Sequence, residues 1–116
     1  MKTYTGGCHC GKVRYEATTE LDRVISCNCS NCGMRGLLLK FIPEEQFKLT
    51  SGEGDLKDYR FNAKKIAHMV CGNCGVESFG KGTGPDGKST VALNIRCLDN
   101  VDPDEVPAEK YEGKDR

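Results

Sequence analysis

Cys27-Asn28-Cys29-Ser30-Asn31-Cys32 packs three thiols into six residues, and what those thiols do decides what kind of fold this chain can build. Two further motifs flank it, Cys8-His9-Cys10 and Cys71-Gly72-Asn73-Cys74, so seven of the eight cysteines sit in tight clusters. Bridged in pairs, they would make a disulfide scaffold of the secreted type; as thiolates, they would make metal sites. Closely spaced thiols converge readily on one tetrahedral ion. The opening Met-Lys-Thr-Tyr-Thr-Gly-Gly lacks the apolar core of a signal peptide, so a cytoplasmic protein with reduced cysteines is expected. All-thiolate ligation selects zinc or an iron–sulfur cluster, and the spacing does not follow the ferredoxin runs, which favours zinc.

Seven ligands divide naturally into four and three, although spacing alone leaves other groupings open. Cys8, Cys10, Cys71 and Cys74 would close a structural site between segments about sixty residues apart. Cys27, Cys29 and Cys32 would then hold a second ion with one position open, the pattern of a catalytic zinc. Two zinc ions are therefore expected. Three thiolates donate so much charge that the ion becomes a weak Lewis acid, poor at making hydroxide and well suited to holding a soft thiol as its thiolate.

The rest of the chain sets the frame. Its 116 residues read as one domain over 1–116, with an extended tail from about residue 100. Only 37% is hydrophobic and Trp is absent, a thin core of the kind that metal often supplements. Lys+Arg and Asp+Glu balance at 17 each, which provides no basic footprint for nucleic acid, and no apolar run is long enough to span a bilayer.

Alternation predicts a half-buried strand over Lys12–Glu20, with Val13, Tyr15 and Ala17 inward. Short strands are expected over Arg23–Ser26 and Leu37–Ile42, and a short helical turn over Pro43–Phe47. Thr50–Gly54 reads as a loop, and Leu56–Phe61 with Lys64–Val70 as a hairpin about Asn62-Ala63. Gly80–Gly87 reads as a flexible hairpin turn, and Ser89–Leu98 as the clearest strand, with Val91, Leu93, Ile95 and Cys97 inward. Seven or eight short strands with little helix make a mainly β fold.

The ordered motifs Gly6-Gly7-Cys8-His9-Cys10-Gly11-Lys12-Val13-Arg14-Tyr15, Cys27-Asn28-Cys29-Ser30-Asn31-Cys32, Cys71-Gly72-Asn73-Cys74-Gly75 and Asn94-Ile95-Arg96-Cys97-Leu98-Asp99 resemble the glutathione-dependent formaldehyde-activating enzyme family, also called the CENP-V/GFA domain. The resemblance runs from Thr5 to about Tyr111. It implies a β-tent fold of short strands, coiled sheets and hairpins stapled by zinc. It implies structural zinc ligands at Cys8, Cys10, Cys71 and Cys74, and catalytic zinc ligands at Cys27, Cys29 and Cys32. It also implies a carbon–sulfur lyase activity with a small thiol such as glutathione and an aldehyde, formaldehyde, as partners.

Other chemistry-bearing residues have plainer readings. His9 is expected to point away from the metal, because neighbouring side chains on an extended segment face opposite sides. His68 is expected to be partly buried and hydrogen-bonded, and Cys97 to act as a small core residue. Asn94 and Arg96 are candidate substrate contacts, Arg96 as a fork for a carboxylate or paired with Asp99. Ser30 and Asn31 are candidates for bonds to the metal sulfurs. Two competing functions are a non-catalytic zinc module that binds a protein partner, and an oxidoreductase resembling methionine sulfoxide reductase, which would need Cys97 as an exposed reactive thiol.

Overall fold

The computed structural model describes residues 1–27, 34–59, 66–83 and 87–111. Among them are ten strands: β1 (Lys2–Gly7), β2 (Arg14–Thr19), β3 (Val24–Cys27), β4 (Leu38–Pro43), β5 (Phe47–Ser51), β6 (Leu56–Tyr59), β7 (Ile66–Cys71), β8 (Glu77–Thr83), β9 (Ser89–Asn94) and β10 (Ala108–Tyr111). Single 3-10 turns sit at Glu44–Gln46, Glu53–Asp55, Ile95–Cys97 and Pro103–Glu105. The fold is mainly β, as expected.

Two sheets form. One has three strands in the order β1-β2-β5; the other has seven, in the order β10-β3-β4-β9-β8-β7-β6. The core lies where Val13, just before β2, and Tyr15 and Ala17 of the first sheet meet Val24, Ile42, Phe79, Val91 and Leu93 of the second. Tyr15, Phe47 and Phe79 stack at its centre, with ring centroids 4.8 to 5.9 Å apart, and such aromatic trios add to plain area burial. Alternation in β2 is clear: Tyr15, Ala17 and Thr19 are buried while Glu16 is exposed. A second, smaller apolar group, Leu37, Leu39 and Ala92, lies outside the main core cluster.

Several expectations change. Lys2–Gly7 forms a strand that the sequence reading does not foresee, because its Thr and Gly residues show no apolar period. Thr50 and Ser51 belong to β5 rather than to a loop, paired to β2 through Leu49 and Tyr15. Gly80 and Gly82 are strand residues of β8; the hairpin they share with β9 is there, but its strand reaches Thr83. The strand expected over Ser89–Leu98 stops at Asn94, whose side chain accepts from Arg96 N–H (3.1 Å) and caps a 3-10 turn over Ile95–Cys97. Ala92 and Asn94, expected to face outward, are buried, since β9 is the centre of a seven-stranded sheet. Past Leu98, where an extended tail is expected, the chain makes a 3-10 turn and then β10, which pairs parallel to β3 with Tyr111 opposite Cys27. The β6–β7 hairpin forms; its turn at Asn62-Ala63 and the Pro85-Asp86 turn lie outside the described residues.

Candidate functional site

Two hairpin loops, one from each sheet, carry the outer cysteines. The first joins β1 to β2 and the second joins β7 to β8, and they are built alike. Cys8 N–H bonds to Val13 C=O (3.1 Å) and Cys71 N–H to Val76 C=O (3.0 Å), closing each loop across the same span. Inside, Gly11 N–H returns to Cys8 C=O and Gly75 N–H to Cys71 C=O, and both glycines sit at φ near +80° (83° and 82°). That left-handed backbone is where glycine is favoured. The loops then direct N–H groups at sulfur: Val13 to Cys8 Sγ (3.3 Å) and Asn73 to Cys71 Sγ (3.4 Å).

The structure brings Cys8, Cys10, Cys71 and Cys74 together, with all four sulfurs within 4.8 Å of one another. Cys8 and Cys10 sulfurs are 3.5 Å apart, and Cys10 and Cys71 sulfurs 3.7 Å. A disulfide would bring them to about 2 Å. Sulfurs at the corners of a tetrahedron around zinc, each about 2.3 Å from the ion, stand roughly 3.8 Å apart. The four thiols therefore suit a tetrahedral metal ion. The loop geometry also prepares thiolates: the Val76 N–H pushes Cys74 down to about 6, and the Asn73 side chain lowers Cys10, while burial raises Cys8. His9 is exposed and outside the sulfur set.

The central triple is described only at its first residue. Cys27 ends β3, against β10 on one side and β4 on the other. Cys29 and Cys32, with Ser30 and Asn31, lie outside the described residues. The chain re-emerges at Met34 and its turn is pinned twice: Arg35 Nε reaches Glu77 Oε1 (3.4 Å), and Arg96 Nε donates to Gly36 C=O (2.9 Å).

Arg96 is thus held to Gly36 rather than to Asp99, which pairs instead with Arg14 and accepts from Thr5 Oγ1 (2.7 Å). Asn94 is buried, donating through Nδ2 to Glu77 C=O (2.9 Å). Half-buried Cys97 has its thiol pushed up to about 12 by burial, so it stays protonated. A reactive cysteine needs the opposite environment, which removes the support for an oxidoreductase built on it.

One group escapes sequence reasoning. His68 Nδ1 lies 2.9 Å from Glu77 Oε2, and the two residues are 6% and 5% exposed. His68 is buried and hydrogen-bonded, as expected; its partner comes from a bulge. Met69 pairs with Phe79 and Val70 with Glu77, so Ser78 is an extra residue in β8. Alternation would place Glu77 beside Phe79 on the core face; the added residue turns it to the face of His68. Tyr15 Oη supports the bulge by donating to Ser78 C=O (3.2 Å). A charged residue in the buried run Glu77-Ser78-Phe79 is the signal that sequence offered.

No helix among the described residues is long and apolar enough to cross a membrane. A model of the family described as glutathione-dependent formaldehyde-activating enzyme matches residues 3–112. Among solved structures, a Rhodobacter sphaeroides protein from structural genomics is similar at 25% sequence identity and a TM-score of 0.78, over 90% of this chain and 99% of that one.

Proposed function

The chain belongs to the glutathione-dependent formaldehyde-activating enzyme family, and on that premise we propose that it is a zinc-dependent carbon–sulfur lyase-type enzyme joining glutathione to formaldehyde as S-(hydroxymethyl)glutathione. The observation that carries the reading is the four-sulfur cluster at tetrahedral spacing in a chain that the family matches almost end to end. Cys8, Cys10, Cys71 and Cys74 would hold a structural zinc, and Cys27, Cys29 and Cys32 a catalytic one. Bound at the triple, zinc would supply a soft acceptor that keeps a substrate thiol as its thiolate. Arg96, exposed beside the turn that follows the triple, is assigned to a substrate carboxylate, and Asn94 to holding the backbone of Arg96 and Glu77.

Metal analysis of purified protein, with adduct formation followed by NMR, tests the reading. Two zinc ions per chain and a rate above that of the uncatalysed reaction are expected. Cys29→Ser should lose one ion and the activity while keeping the fold. One ion per chain, or a Cys29→Ser variant as unfolded as Cys71→Ser, would favour a purely structural zinc module.

A further inference from the structure

The four sulfurs that join the two sheets are not equally sheltered. Cys71 and Cys8 are 1% and 6% exposed and belong to the main core cluster, and each accepts a backbone N–H, from Asn73 and from Val13. Cys74 is half-buried, while Cys10 lies in an exposed run with His9, Gly11 and Lys12. The surface member of the set nonetheless keeps a neighbour on the opposite loop, since Cys10 Sγ stands 3.7 Å from Cys71 Sγ. Four thiolates outweigh the charge of a divalent ion, so their sulfurs stay electron-rich even as ligands. A solvent-accessible thiolate with a second thiol poised beside it is the arrangement that a peroxide oxidises and a disulfide then resolves.

We propose that Cys10 is an oxidation site, at which a hydroperoxide converts the metal-binding cluster between the sheets into a Cys10–Cys71 disulfide. This needs the four-sulfur site alone and none of the lyase chemistry. A lone pair on Cys10 sulfur attacks the peroxide, the O–O bond breaks, and the leaving oxygen takes a proton from water, which leaves Cys10 as a sulfenic acid. The Cys71 thiolate then attacks the Cys10 sulfur, the S–O bond breaks, and its oxygen departs as water with a second proton. The two sulfurs thus supply the two electrons that reduce the peroxide. Cys8 Sγ is as near to Cys10, at 3.5 Å, but a bridge there would span His9 alone, inside a loop already closed by the Cys8–Val13 and Gly11–Cys8 hydrogen bonds, and forced geometry makes a disulfide strained and easily reduced. The cross-loop pair instead closes to about 2 Å by drawing two separate hairpins together. Cys8 and Cys74 remain as ligands, too few to hold a tetrahedral ion, so the metal leaves while the disulfide keeps the two sheets joined. Two molecules of a thiol such as glutathione reverse the bond by exchange and depart as their own disulfide.

The test uses the full zinc-loaded parent chain in thiol-free buffer, so no variant has to fold. Hydrogen peroxide is added in substoichiometric steps, released zinc is read with a chromogenic chelator, and a sulfenic-acid trap with peptide mass spectrometry locates each modified sulfur. The trap should mark Cys10 before Cys8, Cys71 or Cys74. Without the trap, a Cys10–Cys71 linkage should form with the loss of two hydrogens and of the ion held by the cluster, and the circular dichroism of the folded chain should persist. Glutathione with added zinc should then restore the parent mass and metal content. Oxidation that begins at Cys8, Cys71 or Cys74, a linkage confined to one loop, or a cluster that stays reduced while the other cysteines are consumed overturns the proposal. Should the chain purify without metal, the same peptide map decides, because the order of oxidation and the linkage are read on the sulfurs themselves. None of these readouts involves adduct formation, so a parent protein without lyase activity removes the lyase reading and leaves this assignment to its own test.

Discussion

The sulfur cluster and the His68–Glu77 group are both polar sites in a thin-cored β protein, and they are assembled in opposite ways. Each half of the sulfur cluster is local: two cysteines within one tight hairpin loop, repeated in both sheets. The His68–Glu77–Arg35–Asn94 group draws one residue from each of four segments and depends on a bulge. The first joins two sheets and so supports the fold. The second lies on one face of the large sheet beside Leu37, Leu39 and Ala92, with Arg35 reaching in from the turn before β4, and its loss is expected to leave the metal-bearing loops in place.

That contrast predicts a graded series. Cys71→Ser should be the most damaging change, removing one ligand of the proposed structural zinc and costing about 5 kcal/mol or more, enough to unfold a domain of ordinary stability; zinc content and circular dichroism on the same sample check it. A folded, zinc-replete Cys71→Ser would erase the contrast. Tyr15→Phe should cost about 2 kcal/mol, because Ser78 C=O inside the core would lose its donor. It should also disturb the His68 ring resonance by loosening the bulge, which NMR reads beside the denaturation midpoint.

Gly11→Ala and Gly75→Ala should each cost about 1 kcal/mol, the penalty of a left-handed backbone with a Cβ. Neither added Cβ meets an atom within 4 Å, so nothing else contributes. Equal shifts in urea midpoint would show that the two loops carry equal weight, whereas an unequal pair would break their equivalence. The smallest effect belongs to Asp99→Asn, about 0.5 kcal/mol, since the pair with Arg14 is over a third exposed and water screens it. Arg14 first, and then Thr5, holds the Asp99 carboxyl below its usual range. Its contribution is therefore complete above about pH 4 and fades as pH falls through the lowered value. Parent and variant should converge in acid and differ by a constant amount from pH 5 to 8.

Legibility in the sequence follows the same divide. The grouping of Cys8, Cys10, Cys71 and Cys74 could be read because each pair is a contiguous motif, and the large alternating strand β2 because period-2 burial is a local property. β1 and β8 were obscured by Thr and Gly, residues that enter strands here through pairing with β2, β7 and β9 rather than by their own preference. The end of β9 hinged on one Asn94 cap. The partnership of Glu77 with His68 depends on register between strands, and a single unpaired residue reverses the face on which a side chain emerges, which no composition or period records.

The two matched hairpin loops also bear on the order in which the chain folds. Cys10 and Cys71 are 61 residues apart in sequence, and closing a loop of that length costs about 4 kcal/mol of chain entropy. Each hairpin, by contrast, closes over a short stretch of chain, so its two sulfurs are brought together without help from the other. Capturing a metal ion then becomes an encounter between two finished chelates rather than the gathering of four separate thiols. Stopped-flow refolding should accordingly show a zinc-independent phase for the hairpins, followed by a phase whose rate rises with zinc and which brings the two sheets into contact.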